Sequence, residues 1–242
     1  MKTKVALPLL VGLYVFTFTS CENDGVKEPK KSEKDLNKKE NTSARFAAPE
    51  DIVGVDYSKQ DGKMYYWISQ GRANGGTYLD TDPFGSASYK FTAATGKQPN
   101  QIAEIAIYAE LGVNRCYAYY LDGTMSIGYS NDLDAVSLGT SAYVCAPGKT
   151  PANIVGLAIN SLGNAYTWYD DGTVSVGSTT NLGSVNPSYG YTTPPGKTYS
   201  DIVSVAIDRT NSDKVYTWYS DGTVSIGISN DLDYYNAPVP FD

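Results

Sequence analysis

The sequence predicts an all-β protein, a small β-propeller of four blades of about fifty residues each, and three observations predict it. First, one unit is written four times: MYYWISQGRANGG from Met64, CYAYYLDGTMSIG from Cys116, AYTWYDDGTVSVG from Ala165 and VYTWYSDGTVSIG from Val215. Its turn glycines, Gly71, Gly123, Gly172 and Gly222, are 52, 49 and 50 residues apart, and periods of that size mark propellers, solenoids or arrays. Second, Asp-Gly separates two strand-like runs in three copies, a strong hairpin signal because both central residues must tolerate positive φ. Third, both faces of the hairpin are apolar, whereas an antiparallel sheet with one wet face alternates. Blades packed face to face satisfy that pattern, and a β-sandwich gives no reason for a fourfold repeat.

Each unit reads as four strands. Strand a is the run DIVGV, QIAEIAI, NIVGLAI or DIVSVAI, with Ile52, Ile102, Ile154 and Ile202 in register. Strand b is YxWY and strand c is TVSIG; blade one has Gln70-Gly71 where the others have Asp-Gly. A two-residue turn at Asp221-Gly222 sets Tyr219 opposite Val224, Trp218 opposite Ser225, Thr217 opposite Ile226 and Tyr216 opposite Gly227. Large rings then cover small residues on one face, and that aromatic face is expected to pack on the Val/Ile face of the next blade. Strand d is the Tyr-rich segment before the Pro-Gly-Lys block, Tyr143-Val144-Cys145 and Tyr191-Thr192-Thr193. Copy four ends at Asp242 without such a block, while Phe46-Ala47-Ala48-Pro49 precedes Ile52. The N-terminal segment is therefore expected to supply the outer strand of blade four and to close the ring, which hides its edges.

The chain of 242 residues divides into three parts. Residues 1–20 have a charged start at Lys2 and Lys4 and an apolar run from Val5 to Phe18, too short to span a bilayer. They end in Ser20-Cys21 and resemble a bacterial lipoprotein signal, which implies lipidation of Cys21 and an outer-membrane or cell-surface location. Glu22-Asn23-Asp24 resembles the acidic start of surface-exported lipoproteins. An ordinary secretory signal is the other reading. Residues 21–45 alternate acids and bases with almost no apolar residue, so they cannot repay ordering entropy and read as a disordered tether. Residues 46–242 hold the propeller, with 10 basic and 20 acidic residues. That balance argues against nucleic acid, which requires a basic footprint, and favours neutral or cationic partners.

The chain contains no His, which removes Ser-His-Asp and Cys-His catalysis and every His-containing zinc site. Glycosidase chemistry needs two carboxylates in one cleft, yet the conspicuous carboxylates recur once per repeat, so no enzyme activity and no cofactor are expected. Cys116 and Cys145 fall on strands b and d of one blade, two strand spacings or about 9–10 Å apart. That exceeds disulfide reach, so both read as free thiols. Asn131-Asp132-Leu133-Asp134 and Asn230-Asp231-Leu232-Asp233 offer oxygen ligands for Ca²⁺, but Asx-rich loops are commonly turns, and no metal site is assigned. The candidate ligand-binding residues are those repeated beyond what strands require: Tyr120, Tyr169 and Tyr219; Asp122, Asp171 and Asp221; Lys97, Lys149 and Lys197. Rings stack on sugar faces while Asp and Lys bond hydroxyls, which suits a glycan; the same residues would equally serve to hold blades together. Strand order places the b–c and d–a turns on a nearly constant rim and the a–b and c–d loops on a variable one.

At the YxWYxDGTVSxGxSxDL stretch the chain resembles bacterial repeat domains with PLL-like propeller folds and, more distantly, the propeller lectins. The resemblance covers residues 46–242 and is weakest in copy one. It implies a blade fold and carbohydrate binding, and it carries no residue-level site. The expected protein is thus a surface-anchored, non-enzymatic binding module for a glycan. The alternative is a structural or adhesion subunit that docks a cell-envelope protein through the variable rim.

Overall fold

The computed structural model describes residues 49–80, 88–110 and 112–241. The signal segment, Cys21 and the charged tether lie outside them. The described residues form four antiparallel four-stranded sheets, each a simple meander of consecutive strands. Blade one comprises β1 (Ile52–Ser58), β2 (Lys63–Ile68), β3 (Arg72–Gly76) and β4 (Tyr89–Lys90). Blade two comprises β5 (Ile102–Glu110), β6 (Val113–Tyr120), β7 (Thr124–Gly128) and β8 (Ser141–Ala142). Blade three comprises β9 (Ile154–Ile159), β10 (Ala165–Tyr169), β11 (Thr173–Ser178) and β12 (Asn181–Gly190). Blade four comprises β13 (Ile202–Asp208), β14 (Lys214–Tyr219), β15 (Thr223–Ile228) and β16 (Asp231–Pro240). The first strands meet around a common axis: β1 lies against β5, β5 against β9, β9 against β13 and β13 against β1. The architecture is a four-bladed β-propeller.

The core is divided among the four blade interfaces. Between blades three and four, Ala158, Trp168 and Val174 pack on Ile202, Val205, Ile207, Val215 and Tyr219. Between blades two and three, Ala106, Tyr117, Tyr119 and Met125 meet Ile154, Leu157, Ile159, Ala165 and Tyr169. Trp67 and Ala73 of blade one meet Ile102, Ile105, Ile107 and Tyr120. The closing interface sets Tyr216, Trp218, Val224 and Ile226 of blade four on Ile52, Val55, Met64, Tyr66 and Ile68 of blade one. The ring-bearing face of one blade thus covers aliphatic residues of the next, but Val224 and Ile226 lie beside the rings of Tyr216 and Trp218 rather than on the opposite face expected of them. In blades one to three the aromatic at the same position in strand b also reaches across the interface. Trp67 and Trp168 donate Nε1–H to the carbonyls of Ser130 and Ser229, each at 3.0 Å, and Tyr119 donates its hydroxyl to Thr179 at 3.0 Å.

Three expectations are corrected. The b–c turn has three residues, not two: Ser220-Asp221-Gly222, with Gly222 at φ 79° and its N–H on the Tyr219 carbonyl at 3.0 Å. This is a type I turn followed by a left-handed residue. The register therefore slips by one, pairing Trp218 with Val224, Thr217 with Ser225, Tyr216 with Ile226 and Val215 with Gly227. Second, the outer strands lie upstream of Tyr143 and Tyr191. The segments after them form parallel bridges to the next blade, Val144 with Asn181 and Thr192 with Asp231. Third, the outer strand of blade four is its own β16, with Val239 opposite Val224 and Pro240 opposite Thr223. The position assigned to Phe46–Pro49 is therefore filled from within the repeat. Pro49 belongs to a 3₁₀ turn, Pro49–Asp51, and residues 46–48 lie outside the described residues. Phe241, buried like Phe91, Tyr143 and Tyr191, stands at the corresponding place, just after its blade's last strand. The ring closes by side-chain packing of blade four on blade one.

Candidate functional site

The nine repeated candidates assemble into three equal groups rather than one site. Each Pro-Gly-Lys block, or Thr-Gly-Lys in the first copy, leads from one blade to the next. Its lysine reaches the b–c turn of the blade it enters. Lys97 pairs with Asp122, Lys149 with Asp171 and Lys197 with Asp221. Each ammonium also lies over a ring, 5.4 Å from Tyr120, 5.2 Å from Tyr169 and 5.0 Å from Tyr219. The other carboxylate oxygen accepts from the threonine after the turn, with Thr124, Thr173 and Thr223 Oγ1 each at 2.7 Å. The lysine bond holds the Asp122 and Asp171 carboxyls below their usual range. At Asp221 burial pushes upward, but the Lys197 and Thr223 bonds prevail and the net direction is down.

The tyrosines are wholly buried, each 0% exposed. Their hydroxyls face Ser126, Ser175 and Ser225 at 3.2, 3.3 and 3.1 Å. Tyr120 and Tyr169 also accept the N–H groups of Ala94 and Ala146 at 2.9 and 3.2 Å. Burial raises the pKa of all three. No ring among them offers a face to a sugar, which corrects the stacking role expected of them. Blade one has neither the aspartate nor the tyrosine, since Gln70 and Ile68 stand there and Gln70 bonds Asp51 at 2.7 Å instead. The triplets are staples between a connector and the blade it enters.

In the c–d loops, Asp134 takes the Thr95 N–H at 2.8 Å and its hydroxyl at 3.1 Å. Among the described residues no three acidic, Cys or His groups gather to hold a metal ion. Cys116 and Cys145 are free thiols on two different interfaces, Cys116 between blades one and two and Cys145 between two and three.

A different constellation occupies the ring axis. Asp56 on β1, Glu104 on β5 and Ser204 on β13 are buried, and Arg209, directly after β13, is 8% exposed. Arg209 ties blade four to the other three: Nε bonds the Ile159 carbonyl, Nη1 the Tyr57 carbonyl at 2.7 Å, and Nη2 both the Ile107 carbonyl and Asp56 Oδ2, the latter at 2.9 Å. Asp56 also accepts the N–H groups of Ile107 and Tyr57. Deeper in, Ser204 Oγ lies 3.0 Å from both oxygens of Glu104 and accepts the Val55 N–H at 2.9 Å. Gly54 leaves the room for this, since a Cβ there would lie 2.9 Å from the Ile105 backbone and 3.0 Å from Glu104 Oε1. Burial raises both carboxyl pKa values. That of Glu104 stands well above the usual range, and Asp56 pushes it further in the same direction. For Asp56, Arg209 opposes the rise without cancelling it.

These four residues were missed in the repeat because they break it. Asp56 stands where Ala106, Ala158 and Ala206 stand in the other copies, and Glu104 where Gly54, Gly156 and Ser204 do. A charge inside an apolar strand that its sister copies keep neutral is the signal that could have found them.

Above Arg209, the loops joining first to second strands converge from all four blades. They enclose a depression of about 400 Å³ lined by Lys59, Gln60, Tyr108, Ala109, Gly112, Ser161 and Arg209. It lies on the variable rim, opposite the staples. Gln60 Oε1 accepts the Asn114 N–H at 3.3 Å, and Ser161 donates to Asp213 at 3.3 Å.

No protein-family profile and no curated protein matches the chain. Among solved structures it is similar to the computationally designed Ika4 protein, at 14% identity and a TM-score of 0.33, covering 73% of this chain and 90% of that one. It is also similar to a protein from work on the de novo evolutionary emergence of a symmetrical protein shaped by folding constraints. There the identity is 11% and the TM-score 0.44, over 79% of this chain and 77% of that one. Similarities this low carry no functional inference, and the four-bladed assignment rests on the strand topology above.

Proposed function

We propose that the protein is a non-enzymatic binding module that takes a carbohydrate in the axial depression. The supporting observation is the convergence of four blades on one cavity of about 400 Å³, a size typical of small-ligand sites. Its lining mixes the half-buried ring of Tyr108 with the polar groups of Lys59, Gln60, Ser161 and Arg209, the combination that fits a sugar's apolar face and its hydroxyls. The axial carboxylates lie beneath Arg209, away from a bound sugar, so the proposal includes no hydrolytic chemistry. The resemblance to PLL-like propellers supports the same reading. The resemblance of residues 1–21 to a lipoprotein signal supports display at a cell surface or outer membrane through lipid on Cys21.

A glycan array tests the binding reading: glycans sharing one sugar should be retained, and Tyr108→Ala should abolish retention without unfolding the protein. Retention of no glycan would refute it. A protein partner on the same rim is the second reading, favoured by the exposed side chains of Leu162 (79%) and Val113 (46%) beside the depression. Capture of a cell-envelope protein that a Leu162→Asp variant no longer binds would support it over the first. The anchor is tested by Cys21→Ser, which should release the protein from membranes.

A further inference from the structure

The depression is unusual in what it lacks. Among the described side chains its charged lining residues are Lys59 and Arg209, and none is a carboxylate, although the folded part of the chain carries twice as many acids as bases. A guanidinium has five N–H groups and no acceptor. Four of those of Arg209 are engaged with Ile159, Tyr57, Asp56 and Ile107. The remaining Nη1–H has no acceptor among the described residues, on a side chain only 3% exposed. Leaving a buried charged donor unmatched is costly, so this N–H calls for an oxygen acceptor.

The neighbouring groups give the same sign. Lys59 is exposed and has no ion-pair partner among the described residues. The Gln60 carbonyl oxygen is occupied by the Asn114 N–H, which leaves its amide protons as the free function. The open donors of the site are Lys59, the Gln60 amide and one Arg209 N–H, while Ser161 gives its proton to Asp213. A neutral sugar must place hydroxyl protons as well as oxygens, whereas a carboxylate only accepts. Asp56 beneath Arg209 balances the guanidinium charge, so Lys59 supplies the net attraction and Arg209 the directional bond.

We infer that the ligand of this depression is an acidic sugar of the uronic-acid class, its carboxylate placed between Lys59 and the free N–H of Arg209. This rests on the binding-module reading above and specifies its ligand. The ammonium of Lys59 would also steer such a ligand to this opening.

Matched pairs differing only at one carbon separate the two readings: glucuronate against glucose, galacturonate against galactose and mannuronate against mannose, titrated into the protein and followed by NMR. In at least one pair the acid should bind about tenfold tighter or more, a factor equal to about 1.4 kcal/mol. Its advantage should shrink as salt is raised, because exposed charges are screened, and Lys59→Gln should remove most of it without lowering the melting temperature. Neutral sugars binding as tightly as their acids would overturn the acidic assignment while leaving the binding module intact. Failure of every uronate, with a neutral glycan retained on the array, would do the same. Inorganic phosphate shifting the same residues at equal or lower concentration than the best uronate would overturn the carboxylate in favour of a phosphate. Absence of any binding in both assays would remove the module reading itself.

Discussion

Replacing Arg209 by Met keeps much of the side chain's length and removes its charge. The variant loses bonds to three carbonyls on blades one, two and three and leaves the Asp56 carboxylate buried without its cation. Breaking a buried ion pair from one side costs about 3–5 kcal/mol, a large part of a total stability of about 5–15 kcal/mol. Urea unfolding followed by tryptophan emission reports it cleanly, since Trp67, Trp168 and Trp218 are each 0% exposed and lie on three different interfaces. With a denaturant slope of about 2 kcal/mol per molar, the midpoint should fall by about 1.5–2.5 M. Adding Asp56→Asn should recover part of the loss, because it removes the stranded charge, so the two substitutions should be far from additive. A midpoint shift below about 0.5 M, or strict additivity of the pair, would refute the clamp.

Glu104→Gln tests the second buried carboxyl. Its folded pKa is raised, so the native state keeps a proton that the unfolded chain releases above about pH 4.3. Stability from this residue is therefore lost as pH rises above that value, and Glu104→Gln should flatten the fall in melting temperature between pH 5 and 8; parallel curves would contradict it. Lys149→Met breaks a staple whose aspartate side chain is 50% exposed, so it should cost under about 1 kcal/mol in urea and leave ligand titrations unchanged. Burial pushes the Cys145 thiol up to about 11 and that of Cys116 higher still. Both should therefore react slowly with a thiol reagent at pH 8, Cys145 before Cys116, and fast modification of Cys116 in the folded protein would contradict its position.

The fold was legible because the repeat is. Four copies of YxWY and IVxxAI, apolar on both faces, leave a ring of stacked sheets as the way to bury them, and the four interface cores follow that pattern. Register was not legible from Asp-Gly alone. The residue before each aspartate also belongs to the turn, which therefore has three residues, and one residue of slip exchanges every cross-strand partner. The ring's closure was misassigned for a related reason: a Tyr-rich segment before Pro-Gly-Lys looks like a strand, while the outer strands are less apolar because one side faces solvent. Repetition marks the staples rather than the axis. Tyr169, Asp171 and Lys149 recur because every connector needs the same staple, whereas Asp56, Glu104 and Arg209 occur once because a ring has one axis. The depression draws on Lys59, Tyr108 and Ser161 from three separate blades, and only their convergence above Arg209 shows that they are neighbours.

The proposed ligand site lies at the axis on the a–b rim and not at the repeated staples. An amide NMR titration with a glycan retained on the array tests it directly. Shifts should concentrate at Lys59, Gln60, Tyr108, Gly112, Ser161 and Arg209 and saturate at one ligand per chain. Shifts centred on Asp122, Asp171 and Asp221, with a stoichiometry of three, would contradict it.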